Sequence, residues 1–275
     1  MIIDAHHHFW EYDPVEYNWI DDEMSAIRRD FLPVNLQETI LETPVEGVVS
    51  IQARQSIEET DWLLKLASEN EFIKGIVGWL PLRQRNIKDL LEKYSGFSAL
   101  KGVRHVVQGE PEPEFLMGRE FNRGIALLKD YGLAYDVLIF AHQLPAAIRF
   151  VKQHPEQLFV LDHIGKPEIK QNKITRWKQD LKELGRCDNV FCKVSGMVTE
   201  ANYRTWTEEQ LQPYLETVLD AFGPGRLLFG SDWPVCLVAT EYSKWFDLVL
   251  RFFSTLSHDE QELIFGGNAQ YVYHL

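Results

Sequence analysis

Short apolar or β-branched runs alternate with longer stretches of helical period along the whole chain, and this rhythm constrains the fold more than any motif. The runs fall at residues 2–5, 47–52, 74–79, 100–106, 133–139, 158–163, 189–195 and 226–231. Between them, Asp61-Trp62-Leu63-Leu64-Lys65-Leu66-Ala67 repeats its apolar positions at spacings of three and four, as do residues 121–130, 144–151 and 211–222. Pro145 stands at the start of its helix, where a missing N–H costs little, and Gly223-Pro224-Gly225 stops the last of these stretches. Strands alternating with helices imply a parallel sheet with right-handed crossovers. Eight such units in 275 residues favour closure into a single α/β domain, a (β/α)8 TIM barrel, over an open doubly wound sheet.

Charge and cysteine usage narrow the function classes. A formal net charge of −13 argues against nucleic acid and anionic membrane as partners, since both need a basic footprint. No apolar run is long enough to span a bilayer, and no basic region precedes an apolar one at the N-terminus, so a cytoplasmic location is expected. Cys187, Cys192 and Cys236 lack a metal-binding spacing and suit a reducing compartment. A homo-oligomer is left open.

Barrel chemistry gathers at the C-terminal ends of the strands, which makes the polar residues there the candidates. On a strand His6 and His8 share a face while His7 points away, so two imidazoles can converge on one divalent ion or one substrate. Asp232 ends the eighth strand, beside the first once the barrel closes, where its carboxylate could ligate a metal or take a proton from water. The bland alternative for Asp232 is a turn residue before Pro234. His163 ends the sixth strand and suits a hydrogen bond to a reacting carbonyl, with Asp162 expected on the opposite face, anchoring a helix or loop. Alternation does not decide between Arg104 and His105; the forked guanidinium favours Arg104. His142 follows the fifth strand and could ligate a metal or cap the next helix. Gln52, Trp10, Trp79, Trp233 and Lys166 are expected to line the substrate pocket, with the aromatics as its apolar floor. The aromatic-rich segment 10–32 reads equally as a self-packed loop or as pocket wall.

Several motifs then occur in order: Asp4-Ala5-His6-His7-His8-Phe9-Trp10, Gly78-Trp79, Lys101-Gly102-Val103-Arg104-His105, Asp162-His163-Ile164-Gly165-Lys166-Pro167 and Phe229-Gly230-Ser231-Asp232-Trp233-Pro234-Val235. With Cys192-Lys193-Val194-Ser195-Gly196-Met197-Val198-Thr199-Glu200 and Gly266-Gly267-Asn268-Ala269 they cover nearly the whole chain. The set resembles the amidohydrolase superfamily, in its branch of small-lactone hydrolases, and is most similar to the L-fuconolactonase and L-rhamnonolactonase group. That resemblance implies a hydrolase that opens a small sugar lactone, with Asp232 activating water and Arg104 and His163 contacting the lactone. It implies a divalent metal site, best suited to zinc, on His6, His8 and Asp232, and a substrate activated enough that the metal need not be required. Two departures stand out: no strand-end lysine is placed as a clear carbamate bridge, although Lys193 is near, and Tyr271 stands where the last helix often carries arginine. The rival readings are a lactone isomerase or decarboxylase on the same barrel, and a catalytically silent ligand-binding barrel.

Overall fold

A computed structural model describes residues 1–275. Eight parallel strands pair in sequence order: β1 (Ile2–His7), β2 (Val45–Ile51), β3 (Ile73–Gly78), β4 (Leu100–Val106), β5 (Ala134–Leu138), β6 (Phe159–Leu161), β7 (Val190–Val194) and β8 (Leu227–Phe229). The ring closes where the chain runs on past β8. Asp232 donates its backbone N–H to the carbonyl of His6 at 2.8 Å, and His8 donates to Trp233 at 2.7 Å. Helices occupy the connections: α1 (Pro33–Ile40), α2 (Ile57–Glu69), α3 (Ile87–Tyr94), α4 (Arg119–Leu128), α5 (Leu144–Gln153), α6 (Thr175–Leu184), α7 (Glu208–Phe222) and α8 (Tyr242–Phe253). A short α9 (His258–Glu262), one π turn and α10 (Asn268–Tyr273) end the chain. This is the (β/α)8 barrel that the rhythm of the sequence predicts.

Local chemistry explains the boundaries. Ser56 caps α2 by accepting from the N–H of Glu59, and Thr207 caps α7 in the same way, satisfying N–H groups that a helix leaves free. The apolar residues divide between two cores. The larger lies between the sheet and the helices; the smaller fills the barrel with Ile3, Ala5, Val49, Ile51, Val77, Ala134, Val160, Phe191 and Leu228, and α10 closes its floor with Ala269, Val272 and Tyr273. β6 and β8 end two residues short of the predicted limits, because the chain there leaves the sheet for left-handed backbone at His163 (φ +51°) and Asp232 (φ +58°). β1 runs two residues longer than predicted, its last residues still paired with β2.

Segment 10–32 contributes no strand to the sheet. Trp10 and Phe31 exchange backbone hydrogen bonds at its neck, at 3.0 and 2.8 Å, and Arg28 donates to the carbonyl of Ile20 within it. Trp10 is fully buried there, its indole N–H on the carbonyl of Arg29. The self-packed loop and the pocket wall prove to be one object: the loop is packed by its own aromatics, and it presents Trp19 and Met24 to the cavity described next.

Candidate active site

The site begins with an irregularity in β1. Ile3 and Ala5 face the barrel interior, so simple alternation would send His6 and His8 outward. Between Asp4 and His7 the partner strand advances only from Val48 to Ser50, two residues for three, and this bulge reverses the parity. His6 and His8 therefore turn in, while His7 turns out onto the hydroxyl of Ser50 at 2.9 Å. Asp4 also points outward and ties the seam together. Its carboxylate accepts from the N–H of Ser231 at 2.9 Å, the hydroxyl of Ser231 at 2.6 Å and the hydroxyl of Tyr242 at 3.1 Å, fixing the turn that carries Asp232. Gly230 is obligatory at this seam, since a Cβ there would sit 2.8 Å from the Cβ of His6.

Three imidazoles and a carboxylate converge at the mouth. The Nε2 atoms of His6 and His8 lie 3.2 Å apart, and an oxygen of Asp232 lies 3.7 Å from the first, 3.5 Å from the second and 3.9 Å from Nε2 of His163. Tautomers follow from the other ring nitrogens. Nδ1 of His8 lies 2.9 Å from the carbonyl of Ile51, which can only accept, so the proton is there. Nδ1 of His6 faces Asp162 at 3.2 Å, a contact bent from ideal hydrogen-bond geometry but one that holds the proton on that nitrogen. Two Nε2 lone pairs then confront each other beside a carboxylate, with Nη1 of Arg104 as the nearby donor, 3.5 Å from the His6 nitrogen. Such a pair suits a divalent cation, with the Nδ1–H groups steadied by acceptors as ligating histidines require. His6, His8 and Asp232 could hold that ion. The donor set of two imidazole nitrogens and one carboxylate oxygen is of a type that transition metals accept.

The electrostatics keep His6 and His163 neutral and the carboxylate charged. Burial outweighs Asp162 and holds His6 well below the usual imidazole range. Burial also pushes His163 down to about 4 against the pull of Asp232 and Asp162. For Asp232, burial opposes ionisation, but His163, His8 and Lys166 prevail and keep the carboxyl below the usual carboxylate range. Nδ1 of His163 sits 2.9 Å from the hydroxyl of Ser195, and its Nε2 faces the Asp232 carboxylate, which favours a proton on Nε2. The left-handed turn at His163 swings its ring inward from a position that strand parity would have put outside. Gly196 leaves the room for it, since a Cβ there would meet the ring at 2.5 Å.

Asp162 is not the peripheral anchor that the sequence suggests. It continues the parity of Val160 into the barrel, where it is fully buried and faces three partners: His6 at 3.2 Å, Lys193 at 3.0 Å and Arg104 at 2.9 Å. Burial opposes its ionisation, but Lys193, His6 and Arg104 hold its carboxyl well below the ordinary range. Lys193, also fully buried, bonds in addition to Asp136, which accepts from the hydroxyl of Tyr273 on the floor helix at 2.9 Å. The nitrogen of Lys193 is thus engaged in ion pairs. A charged column runs from the barrel floor to the imidazoles, and only its upper members were legible as strand-end residues.

A chamber of about 380 Å³ opens above this column. His8, Arg104, His163, Lys166 and Asp232 reach it, as do Trp19 from segment 10–32, Glu200 from the end of the Cys192–Glu200 motif, and Tyr203, which sequence reasoning missed. Arg104 points in and His105 out, onto Glu110 at 2.6 Å, as guanidinium chemistry suggested. The second guanidinium nitrogen of Arg104 donates to the carbonyl of Gln52, whose side chain is fully buried behind the chamber. Three aromatics lie elsewhere than expected. Trp10 and Trp233 are buried in the layer behind, where their rings pack with Phe31, and the indole of Trp79 donates to His105 outside the barrel. Trp19 takes the place in the wall, with Trp10 packed edge to face behind it, 5.9 Å between centroids. His142 also departs from expectation. It is exposed, stacked on Phe140, and borders a wider outer cleft of about 790 Å³ rather than the imidazole cluster, because the chain turns away from the axis after β5. The larger cavity is therefore not the one that holds the chemistry.

Known proteins resemble this chain over its full length. Residues 3–275 match the amidohydrolase family. The chain is 38% identical to an L-fucono-1,5-lactonase of Burkholderia multivorans, covering 99% of this chain and 96% of the relative. It is 31% identical to an L-fucono-1,5-lactonase of Burkholderia ambifaria, at 99% and 95% coverage. A crystal structure of a Burkholderia multivorans amidohydrolase with bound zinc superposes with a TM-score of 0.97 at 37% identity, covering 100% of this chain and 99% of that one.

Proposed function

The chain belongs to the amidohydrolase family, and from that premise we propose that it hydrolyses a small neutral sugar lactone, a 1,4- or 1,5-lactone such as L-fuconolactone, to the hydroxy acid, in the cytoplasm. The observation that carries this reading is the convergence of one ionised carboxylate, Asp232, on imidazoles and a guanidinium inside a chamber of ring-sized volume. The full-length likeness to two L-fucono-1,5-lactonases supports the substrate class.

In this reading Asp232 is the general base. It takes a proton as water adds to the lactone carbonyl carbon, which is why a depressed carboxyl, ionised at neutral pH, is useful there. The Nε2–H of His163 and the guanidinium of Arg104 stabilise the oxyanion that forms. When the tetrahedral centre collapses, the ring C–O bond breaks, and Asp232 returns the proton to the departing ring oxygen. The products are one carboxylic acid and one hydroxyl, with no atom unaccounted for. Trp19 gives the sugar an apolar wall, and Lys166 and Gln52 lie within or behind the polar rim. Zinc held by His6, His8 and Asp232 would supply Lewis-acid polarisation and a more acidic water.

A panel of neutral sugar lactones followed by proton release in dilute buffer tests the reading. Saturable hydrolysis of at least one of them is expected. No release from any of them, or loss of carbon dioxide in place of ring opening, would overturn it.

A further inference from the structure

The chamber holds two cations, and each is already answered. Arg104 pairs with Asp162 at 2.9 Å. The ammonium of Lys166 pairs with Glu200 at 3.2 Å, donates on its other side to the amide oxygen of Gln108 at 3.1 Å, and sits 5.3 Å from the centre of the Phe140 ring. Asp232 remains as a further negative charge. Lys166 and Glu200 are mostly buried, and both border the chamber and the outer cleft, so their ion pair is the partition between the two cavities. Lys166 itself has left-handed backbone (φ +45°), at the end of the turn that carries His163.

Resting on the lactonase reading, we propose that Glu200 is the specificity-determining residue that reserves the chamber for uncharged lactones. By neutralising Lys166 it removes the one cation at the rim that could receive a carboxylate. A lactone bearing a ring or exocyclic carboxylate then meets two unpaired demands, its own desolvation and the field of Asp232, and is refused. A neutral polyhydroxylated ring instead finds at this partition both an acceptor, Glu200, and a donor, Lys166. Glu200 lies on the loop after β7, so selectivity is set on an element separate from the imidazole cluster.

The test compares kcat/KM for a hexonolactone and for the lactone of the matching aldaric acid, which differ in one exocyclic carboxylate. In Glu200→Gln the ratio of charged to neutral lactone should rise about tenfold or more, the scale of an ion pair in a partly buried site. The gain should appear in KM for the charged lactone and shrink at high ionic strength. Lys166→Gln should move the ratio the other way, because it leaves Glu200 unanswered, and this variant decides the matter if Glu200→Gln does not fold. Adding Lys166→Gln to Glu200→Gln should abolish the gain. An unchanged ratio in the single variants, with the neutral lactone still hydrolysed, would overturn the role of Glu200 alone. Failure of the wild-type chain to open either lactone would instead sink the lactonase reading and this proposal with it.

Discussion

Replacing Asp162 by asparagine should reveal how much of the barrel's stability hangs on one buried charge. In the native chain two carboxylates, Asp136 and Asp162, answer two cations, Lys193 and Arg104, at exposures of 3% or less. Asparagine keeps the shape but halves the countercharge. It also offers one accepting oxygen where three donors converge, so at least one of Lys193, Arg104 and His6 must face an NH2 group. Removing one partner of a buried ion pair costs about 3–5 kcal/mol. With about 2.1 cal/mol/K of unfolding entropy per residue, a 275-residue chain gives about 0.6 kcal/mol/K, so Tm should fall by about 5–9 °C. Thermal melts by circular dichroism, with urea midpoints as a check against irreversibility, measure this directly. Combined with Lys193→Met, the loss should be smaller than the sum of the single losses by about 1–3 kcal/mol, since the two side chains touch. A melt of Asp162→Asn within 2 °C of wild type, an interval of roughly 1 kcal/mol on the same entropy scale, would refute the hub. Strict additivity with Lys193→Met would do the same.

Asp232→Asn should keep the fold and lose about 10²-fold or more in kcat with little change in KM, because the amide is nearly isosteric but accepts no proton; steady-state kinetics retaining over a tenth of the rate would exclude a general base there. Zinc should bind at His6, His8 and Asp232, yet much of the lactonase rate should survive its removal, since Arg104 and His163 can polarise an ester carbonyl; elemental analysis and assay after chelation decide, and a complete loss restored by zinc would mean that the metal generates the nucleophile. Burial pushes Glu59 up to about 7 from its ordinary 4.5, against the opposing N–H groups of Arg54 and Ala53, so its fold prefers the protonated form. Its contribution is complete below pH 4.5 and is lost as pH rises through 7, by at most about 3 kcal/mol. Urea unfolding across that window should show a decline that Glu59→Gln flattens, and equal slopes for both proteins would contradict it.

The fold was legible because eight apolar runs and their intervening helical periods leave few alternatives, and His6, His8, Arg104, His163 and Asp232 were legible because barrel chemistry sits at strand ends. What escaped did so for identifiable reasons. Period-two reasoning assumes unbroken strands, whereas β1 carries a bulge and β6 stops at Leu161. The inward place of Asp162 was in fact predicted by the parity of Val160, and was missed by giving that parity to His163, which enters only through left-handed backbone. Trp10, Trp79 and Trp233 were expected in the pocket because they flank strand ends; the loop between Trp10 and Phe31 buries the first and lends Trp19 instead, a choice made by tertiary packing. Glu200 closes the Cys192–Glu200 motif beyond the end of β7, but nothing in that motif gives it a role, and only its ion pair with Lys166 does so.

The seam between β1 and the end of β8 has a consequence for how the molecule comes to be. Asp4 and Ser231 are 227 positions apart, His8 and Trp233 nearly as far, and the carboxylate of Asp232 meets the imidazoles only where these long loops close. Tyr273, which completes the floor of the charged column, follows all eight strands in the chain. Contacts of such separation form late, since the entropy of bringing distant segments together must be lost before the contact returns anything. A chain that stops before β8 would therefore hold strands and helices but no assembled imidazole–carboxylate cluster. Catalytic competence in this barrel is a property of the finished circle, and a circular permutant opened between β4 and β5, with its old termini joined, would move that last event to a different part of synthesis while leaving the same atoms in place.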